Sequence, residues 1–250
     1  MIDTLFGILD EGVFAYLVLG AVLAGLVRGF SGFGTAMVFI PIAGQVLSPI
    51  ATLIVLLVME LIGPLPNIPR AIRDGKLPDL LRLITGAVIG APIGVYFLNL
   101  MSADTFSLLG AVFSLCLLLL LIYGVRYKGT LNQGLIFFTG AIGGLSGGAF
   151  GIPGPPVIML YMASSLPVSV IRANNTLFLI LIDILLFLIF WLKGMLIFNF
   201  IIVGLIIAIP YLVSCVVGAK LFNPSREKLY RIVAYTIIFL SAISALPIWS

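Results

Sequence analysis

Three ionisable side chains lie inside or at the lip of apolar runs of this 250-residue sequence: Arg28, Glu60 and Asp183. Charge at that depth in an apolar segment is costly, so it faces a cavity or a partner. A guanidinium suits oxyanions, because its fork of donors matches two oxygens at once. Arg28 is therefore a candidate anion ligand, against the plainer readings of pairing with a carbonyl or carboxylate, or snorkelling from a shallow position. Arg172 opens another apolar run beside Asn174, Asn175 and Thr176. There an anchor at the membrane edge is the stronger reading, with anion contact the alternative. Glu60 and Asp183 occupy similar places in the two halves of the chain. Burial disfavours a charged carboxylate, which suits either residue to carry a proton; permanent pairing with Arg28 or Arg172 fits equally. Ser31, Thr35, Asn174, Asn175 and Thr176 offer hydrogen bonds to a bound oxyanion, although such residues more often join helices to each other.

Other chemistry is poorly served. The chain has no histidine and two cysteines, Cys116 and Cys215, each within an apolar run. Histidine metal sites, histidine relays and a structural disulfide are not expected. No nucleophile has a base beside it, and no Gly-x-x-x-x-Gly-Lys loop is present to hold a nucleotide. An enzyme, a metal and a cofactor are all unexpected.

The elements that position these residues follow from composition. The chain is 62% hydrophobic and 9% charged, with net charge +4 and a pI of about 9.2. A soluble domain carries roughly 25% charged residues, so the main solvent here must be lipid. Basic residues gather at the ends of apolar segments, where they set orientation, so nucleic acid is not an expected partner. Four segments suffice to cross a bilayer: Leu80–Phe97, Thr105–Tyr123, Ala173–Leu192 and Phe198–Ala219. Ile232–Trp249 is slightly short but is flanked by Arg226, Lys228 and Arg231 and by Trp249. Pro49–Pro64 is shorter again and ends in a run containing Pro64, Pro66 and Pro69. The apolar N-terminal segment follows Asp3, Asp10 and Glu11 rather than a basic leader, so it reads as retained.

Two apolar regions are interrupted. Val13–Leu47 contains Arg28-Gly29-Phe30-Ser31-Gly32-Phe33-Gly34, and Gln133–Ala163 contains Gly147-Gly148-Ala149-Phe150-Gly151-Ile152-Pro153-Gly154-Pro155-Pro156. Such density of glycine and proline predicts two short helices meeting at an unwound turn in each region. Helix ends there leave N–H groups for an anion, and paired broken helices point to a transporter binding site. That makes Gly32, Gly34, Gly148, Gly151 and Gly154 candidate binding positions. Close glycine packing between helices is the competing explanation, and Gly25–Gly29 and Gly144–Gly148 fit it. Phe30, Phe33, Phe150 and Tyr161 are candidates to bound the cavity. Gly25, Gly29 and Gly32 recur as Gly144, Gly148 and Gly151, a shift of about 119 residues, and Gly75 recurs as Gly194. One domain with two repeats is expected, about 12–126 and 131–250, joined near Tyr127–Leu131.

Charge favours inverted halves. Arg70, Arg73, Lys76 and Arg82 lie between the second and third segments of the first half, where the second half has only Lys193. Lys220, Arg226, Lys228 and Arg231 follow the third segment of the second half. If each broken region is re-entrant, three spanning helices remain per half, and all basic loops, with Arg126 and Lys128, fall on one side. The expected fold is thus an all-α polytopic membrane protein of two pseudo-symmetric, inverted halves. Each half has a broken, re-entrant hairpin and about three spanning helices.

The order of these features resembles the TauE/SafE family of bacterial sulfite exporters and sulfonate permeases. Gly25-x-x-x-Gly29-x-x-Gly32-x-Gly34, Pro41 and Ala51-Thr52 carry the first copy. Gly144-x-x-x-Gly148-x-x-Gly151 and Arg172-Ala173-Asn174-Asn175-Thr176 carry the second, with Gly75, Gly194, Gly86, Gly90 and Gly94 also fitting. The family often has three consecutive glycines at the break and threonine–serine after alanine; this chain has Gly32-Phe33-Gly34, Gly151-Ile152-Pro153 and Asn174-Asn175 instead. The resemblance implies a multi-pass protein of the bacterial inner membrane that moves sulfite, an organosulfonate or a related small anion. Alternating access, with the anion between the two broken helices at mid-membrane, is the expected mechanism. An anion channel and a carrier of a non-sulfur carboxylate are the alternatives. The expected partners are the lipid bilayer and a small anion. Proton or sodium coupling and a homodimer are both compatible with the sequence.

Overall fold

A computed structural model describes residues 11–63, 68–123, 131–161, 166–222 and 227–246, and every regular element among them is a helix. Pro64, Pro66, Arg126, Lys128, Arg226, Trp249 and most of the Tyr127–Leu131 junction lie outside the described residues. The helices are α1 (Glu11–Ser31), α2 (Thr35–Ala43), α3 (Pro49–Ile62), α4 (Ile68–Asp74), α5 (Leu77–Leu100), α6 (Ala103–Ile122), α7 (Gln133–Phe150), α8 (Gly154–Tyr161), α9 (Val168–Leu192), α10 (Phe198–Leu221) and α11 (Glu227–Ser244). Five of these, α1, α5, α6, α9 and α10, are long and apolar enough to cross a membrane. α3, with 14 residues, is short for that task, as expected.

The broken regions differ from expectation in proportion. Their first arms are long, 21 residues in α1 and 18 in α7, and their second arms short, 9 in α2 and 8 in α8. At 1.5 Å per residue α1 reaches about 32 Å, while α2 covers about 14 Å. The breaks themselves shrink to three residues each, Gly32–Gly34 and Gly151–Pro153. Gly29, Gly147 and Gly148 do not end a helix, because their bare faces are packed against neighbouring chain.

The chain forms two compact units, each drawing on both halves of the sequence. One holds Met1–Met59, Met101–Leu118 and Ile197–Ser250. In it α1 packs along α10, with Gly25 against Tyr211, Ser214 and Cys215, and Gly29 against Cys215, Gly218 and Ala219. Register advances in the same direction on both helices, so they run parallel. α2 folds back along α1, bringing Gly34 to Val27 and Ile42 to Gly20. Phe106 and Gly110 of α6 lie against Gly44 and Ile40, and Ala111 packs with Ala242 and Ala245.

The other unit holds Glu60–Leu100 and Leu119–Leu196. Here α5 and α7 run parallel in close backbone contact: Gly86 meets Phe137 and Ala141, Gly90 meets Ala141 and Leu145, and Gly94 meets Leu145 and Ala149. Gly140, Gly144 and Gly148 face back onto Leu83, Ala87 and Ala91. The packing explanation thus accounts for Gly25, Gly29, Gly144 and Gly148. The Lys76 N–H donates to Asn174 Oδ1 at 2.7 Å, tying the start of α5 to the early turns of α9. α5, α7 and α9 therefore begin at the same end of this unit. The chain enters α7, turns back through α8 and starts α9 where it came in, which is the re-entrant path expected of this region. Gly75 lies at that end, and its counterpart Gly194 follows the far end of the 25-residue α9.

Candidate functional site

The first break is built by two glycines in the left-handed region, Gly32 at φ 78° and Gly34 at φ 93°. A side chain would be strained at either. The Gly32 N–H donates to Arg28 O at 2.7 Å, closing the last turn of α1. Ser31 Oγ lies 2.7 Å from Val27 O and 2.8 Å from Phe33 O, and accepts from the Phe33 N–H at 3.3 Å. Ser31 thus shapes the turn through its own neighbours. Gly34 caps α2 with no side-chain hydrogen bond. The N–H groups of Thr35, Ala36 and Met37 are the first of a helix, where the backbone is partly positive.

Arg28, half-buried in the last turn of α1, reaches across this break. Its Nη1 donates to Thr35 Oγ1 at 3.4 Å, and Thr35 Oγ1 lies 3.2 Å from the Tyr211 hydroxyl of α10. Thr35 is 1% exposed and Tyr211 fully buried. A guanidinium, two hydroxyls and a helix N-terminus so converge within one unit. Phe30, a candidate cavity wall, packs against Tyr230 with tilted rings whose centres are 5.3 Å apart.

The second break repeats part of this geometry. Gly151 has φ 66°, and its N–H donates to Gly147 O at 2.8 Å, the counterpart of Gly32 and Arg28 O one repeat later. The Ile152 N–H bonds Ser146 O at 3.3 Å, and Ser146 Oγ donates to Ile152 O at 2.9 Å. Donors are fewer here. Pro155 and Pro156, in the first turn of α8, carry no N–H, and neither does Pro153. Gly154 is buried and keeps its N–H, and a methyl there would make only ordinary contact with Leu179. The two breaks are alike in backbone shape and unlike in donor chemistry.

The remaining candidates are dispersed. Asn174, fully buried, donates from Nδ2 to the Tyr161 hydroxyl at 3.0 Å while accepting from Lys76 N. It joins α5, α8 and α9, which is the structural role weighed for it. Asn175 Oδ1 is buried without a hydrogen-bond partner, Thr176 is half-buried and Arg172 is exposed. Glu60 and Asp183 are buried at 5% and 3% exposure.

Sequence reasoning passed over Tyr211 and Asp79. Asp79 is 2% exposed, with Lys76 Nζ 3.1 Å from Oδ2 and Arg82 Nη1 donating to Oδ1 at 3.1 Å. The Lys76 contact is ionic and lacks hydrogen-bond alignment. Placement three residues from each cation on a helix was the available signal. At the end of α4, hydrogen bonding from Arg73 holds the Asp74 carboxyl below its ordinary pKa and raises that of Arg73. For Tyr211, the only signal was a polar tip one residue after Pro210 in an apolar run.

No group of three or more metal-ligating side chains occurs among the described residues. No curated protein and no solved structure matches the chain. The family described as sulfite exporter TauE/SafE matches residues 17–245, nearly the whole sequence. With five span-length helices and that match over both broken regions, the chain belongs to the TauE/SafE sulfite exporter family of membrane transporters.

Proposed function

We propose that this protein is a secondary transporter of a small sulfur oxyanion, sulfite or an organosulfonate, in the inner membrane of a bacterium. The observation that carries the reading is Arg28, held across the first break by Thr35. A fixed guanidinium beside a helix N-terminus is suited to an oxyanion at membrane depth, where few other donors exist. The first break is the main anion contact in this reading, because prolines remove donors from the start of α8. Transport proceeds by alternating access, and the buried Glu60 and Asp183 provide for proton coupling.

Flux of labelled sulfite and sulfonates into vesicles, with pH and voltage gradients imposed independently, tests this. Arg28→Ala is expected to weaken anion binding at least tenfold, in line with about 1.5–3 kcal/mol for a charged hydrogen bond. Binding at unaltered affinity would remove Arg28 as a ligand. Flux indifferent to both gradients, to Glu60→Gln and to Asp183→Asn would sink the coupling. Unsaturable flux without counter-movement would identify a channel instead.

A further inference from the structure

We infer that Tyr211 is a positioning residue of the anion site, acting through Thr35; this rests on the proposed anion reading. The Tyr211 hydroxyl is fully buried and lies 3.2 Å from Thr35 Oγ1. Arg28 can only donate, so its 3.4 Å contact directs a proton at the same oxygen. A threonine hydroxyl has one proton and two lone pairs. When Tyr211 also donates, both lone pairs are filled, and the threonine proton must point elsewhere. An oxyanion bound at Arg28 supplies the acceptor. The arrangement is a relay: Tyr211 to Thr35, and Thr35 to the anion. Donors aligned in series strengthen one another.

Packing fixes the place of Tyr211. It follows Pro210 inside α10, and its backbone carbonyl faces the bare side of Gly25 in α1. Ser214 donates to that carbonyl at 2.8 Å. The ring is thus fixed by the parallel packing of α1 on α10, on the helix whose last turn carries Arg28. Residues from three elements, α1, α2 and α10, meet at one hydroxyl.

Sulfite binding by the purified full-length protein, read as ligand-dependent thermal stabilisation, tests the relay. Tyr211→Phe keeps the ring and is expected to weaken sulfite binding by about three- to tenfold, the size of one net hydrogen bond. Thr35→Val should weaken it at least as much, and Thr35→Ser should restore it. The decisive variant is Tyr211→Phe with Thr35→Val, which should bind no more weakly than Thr35→Val alone. Additive losses, or unchanged binding in Tyr211→Phe, would overturn the role while leaving anion binding by the wild type intact. Absence of stabilisation of the wild type by sulfite, sulfonates, sulfate and carboxylates alike would overturn both the role and the anion reading beneath it.

Discussion

Asn174 shows how one side chain can be read correctly by type and differently by task. An amide in an apolar run must find partners, and it finds them in protein: Tyr161 on one side and Lys76 N–H on the other. Its replacement by alanine removes one hydrogen bond from the buried Tyr161 hydroxyl and the acceptor of the Lys76 N–H. At about 1–3 kcal/mol for the N–H that loses its acceptor and about 1 kcal/mol for the lost side-chain bond, Asn174→Ala should lower stability by roughly 3 kcal/mol. Thermal unfolding in detergent would show this, and an unchanged midpoint would contradict the tether. Arg28 was legible because a guanidinium beside a glycine break is rare and costly. Tyr211 was not, since its contact with Thr35 joins residues 176 apart in sequence. Nothing local marks such a pair.

At the scale of elements, sequence located the helices closely and misjudged the breaks. Predicted Leu80–Phe97 became Leu77–Leu100, and Phe198–Ala219 became Phe198–Leu221. Polar first turns such as Pro78-Asp79 extend helices beyond the apolar run, so hydropathy alone ends them early. Glycine density alone overstates the width of the breaks. In α1 and α7 most glycines are helical and serve close approach, and left-handed backbone marks the three that shape the breaks, Gly32, Gly34 and Gly151. Gly90→Ala tests this, because its methyl would fall within van der Waals distance of the Ala141 carbonyl and Leu145 N. Both neighbours are backbone and cannot swing aside, so destabilisation of about 3 kcal/mol is expected. Gly12→Ala, with nothing within 4 Å, is the control and should leave the unfolding midpoint in place. Equal behaviour of the two variants would refute close packing as the reason for Gly90.

For the whole molecule, the sidedness of the links is the telling quantity. Gly75 and Gly194 hold the same place in the two repeats, yet they sit beside the start and beyond the end of α9. Inverted halves require the corresponding links to face opposite sides of the membrane. Single cysteines at Lys76 and Lys193, in a chain with Cys116 and Cys215 replaced, should react with an impermeant reagent from opposite sides. Lys76 is expected on the cytoplasmic side, with the basic loops. Labelling of both from one side would rule out the inverted arrangement.

The parallel pairing of α1 with α10 also has a consequence for how the protein is made. α1 leaves the ribosome well before α10, the helix that covers its glycine face, which ends about 190 residues later. At synthesis rates of about 5–20 residues per second that delay is roughly 10–40 s. α5 and α7 end only about 50 residues apart, so their pairing can close severalfold sooner. During the interval α1 has a bare backbone stripe and an arginine in its last turn, with α10 still to come. Assembly of this protein is therefore ordered in time. The unit built on α5 and α7 can settle early, and α1 must be kept from other partners until α10 has been made.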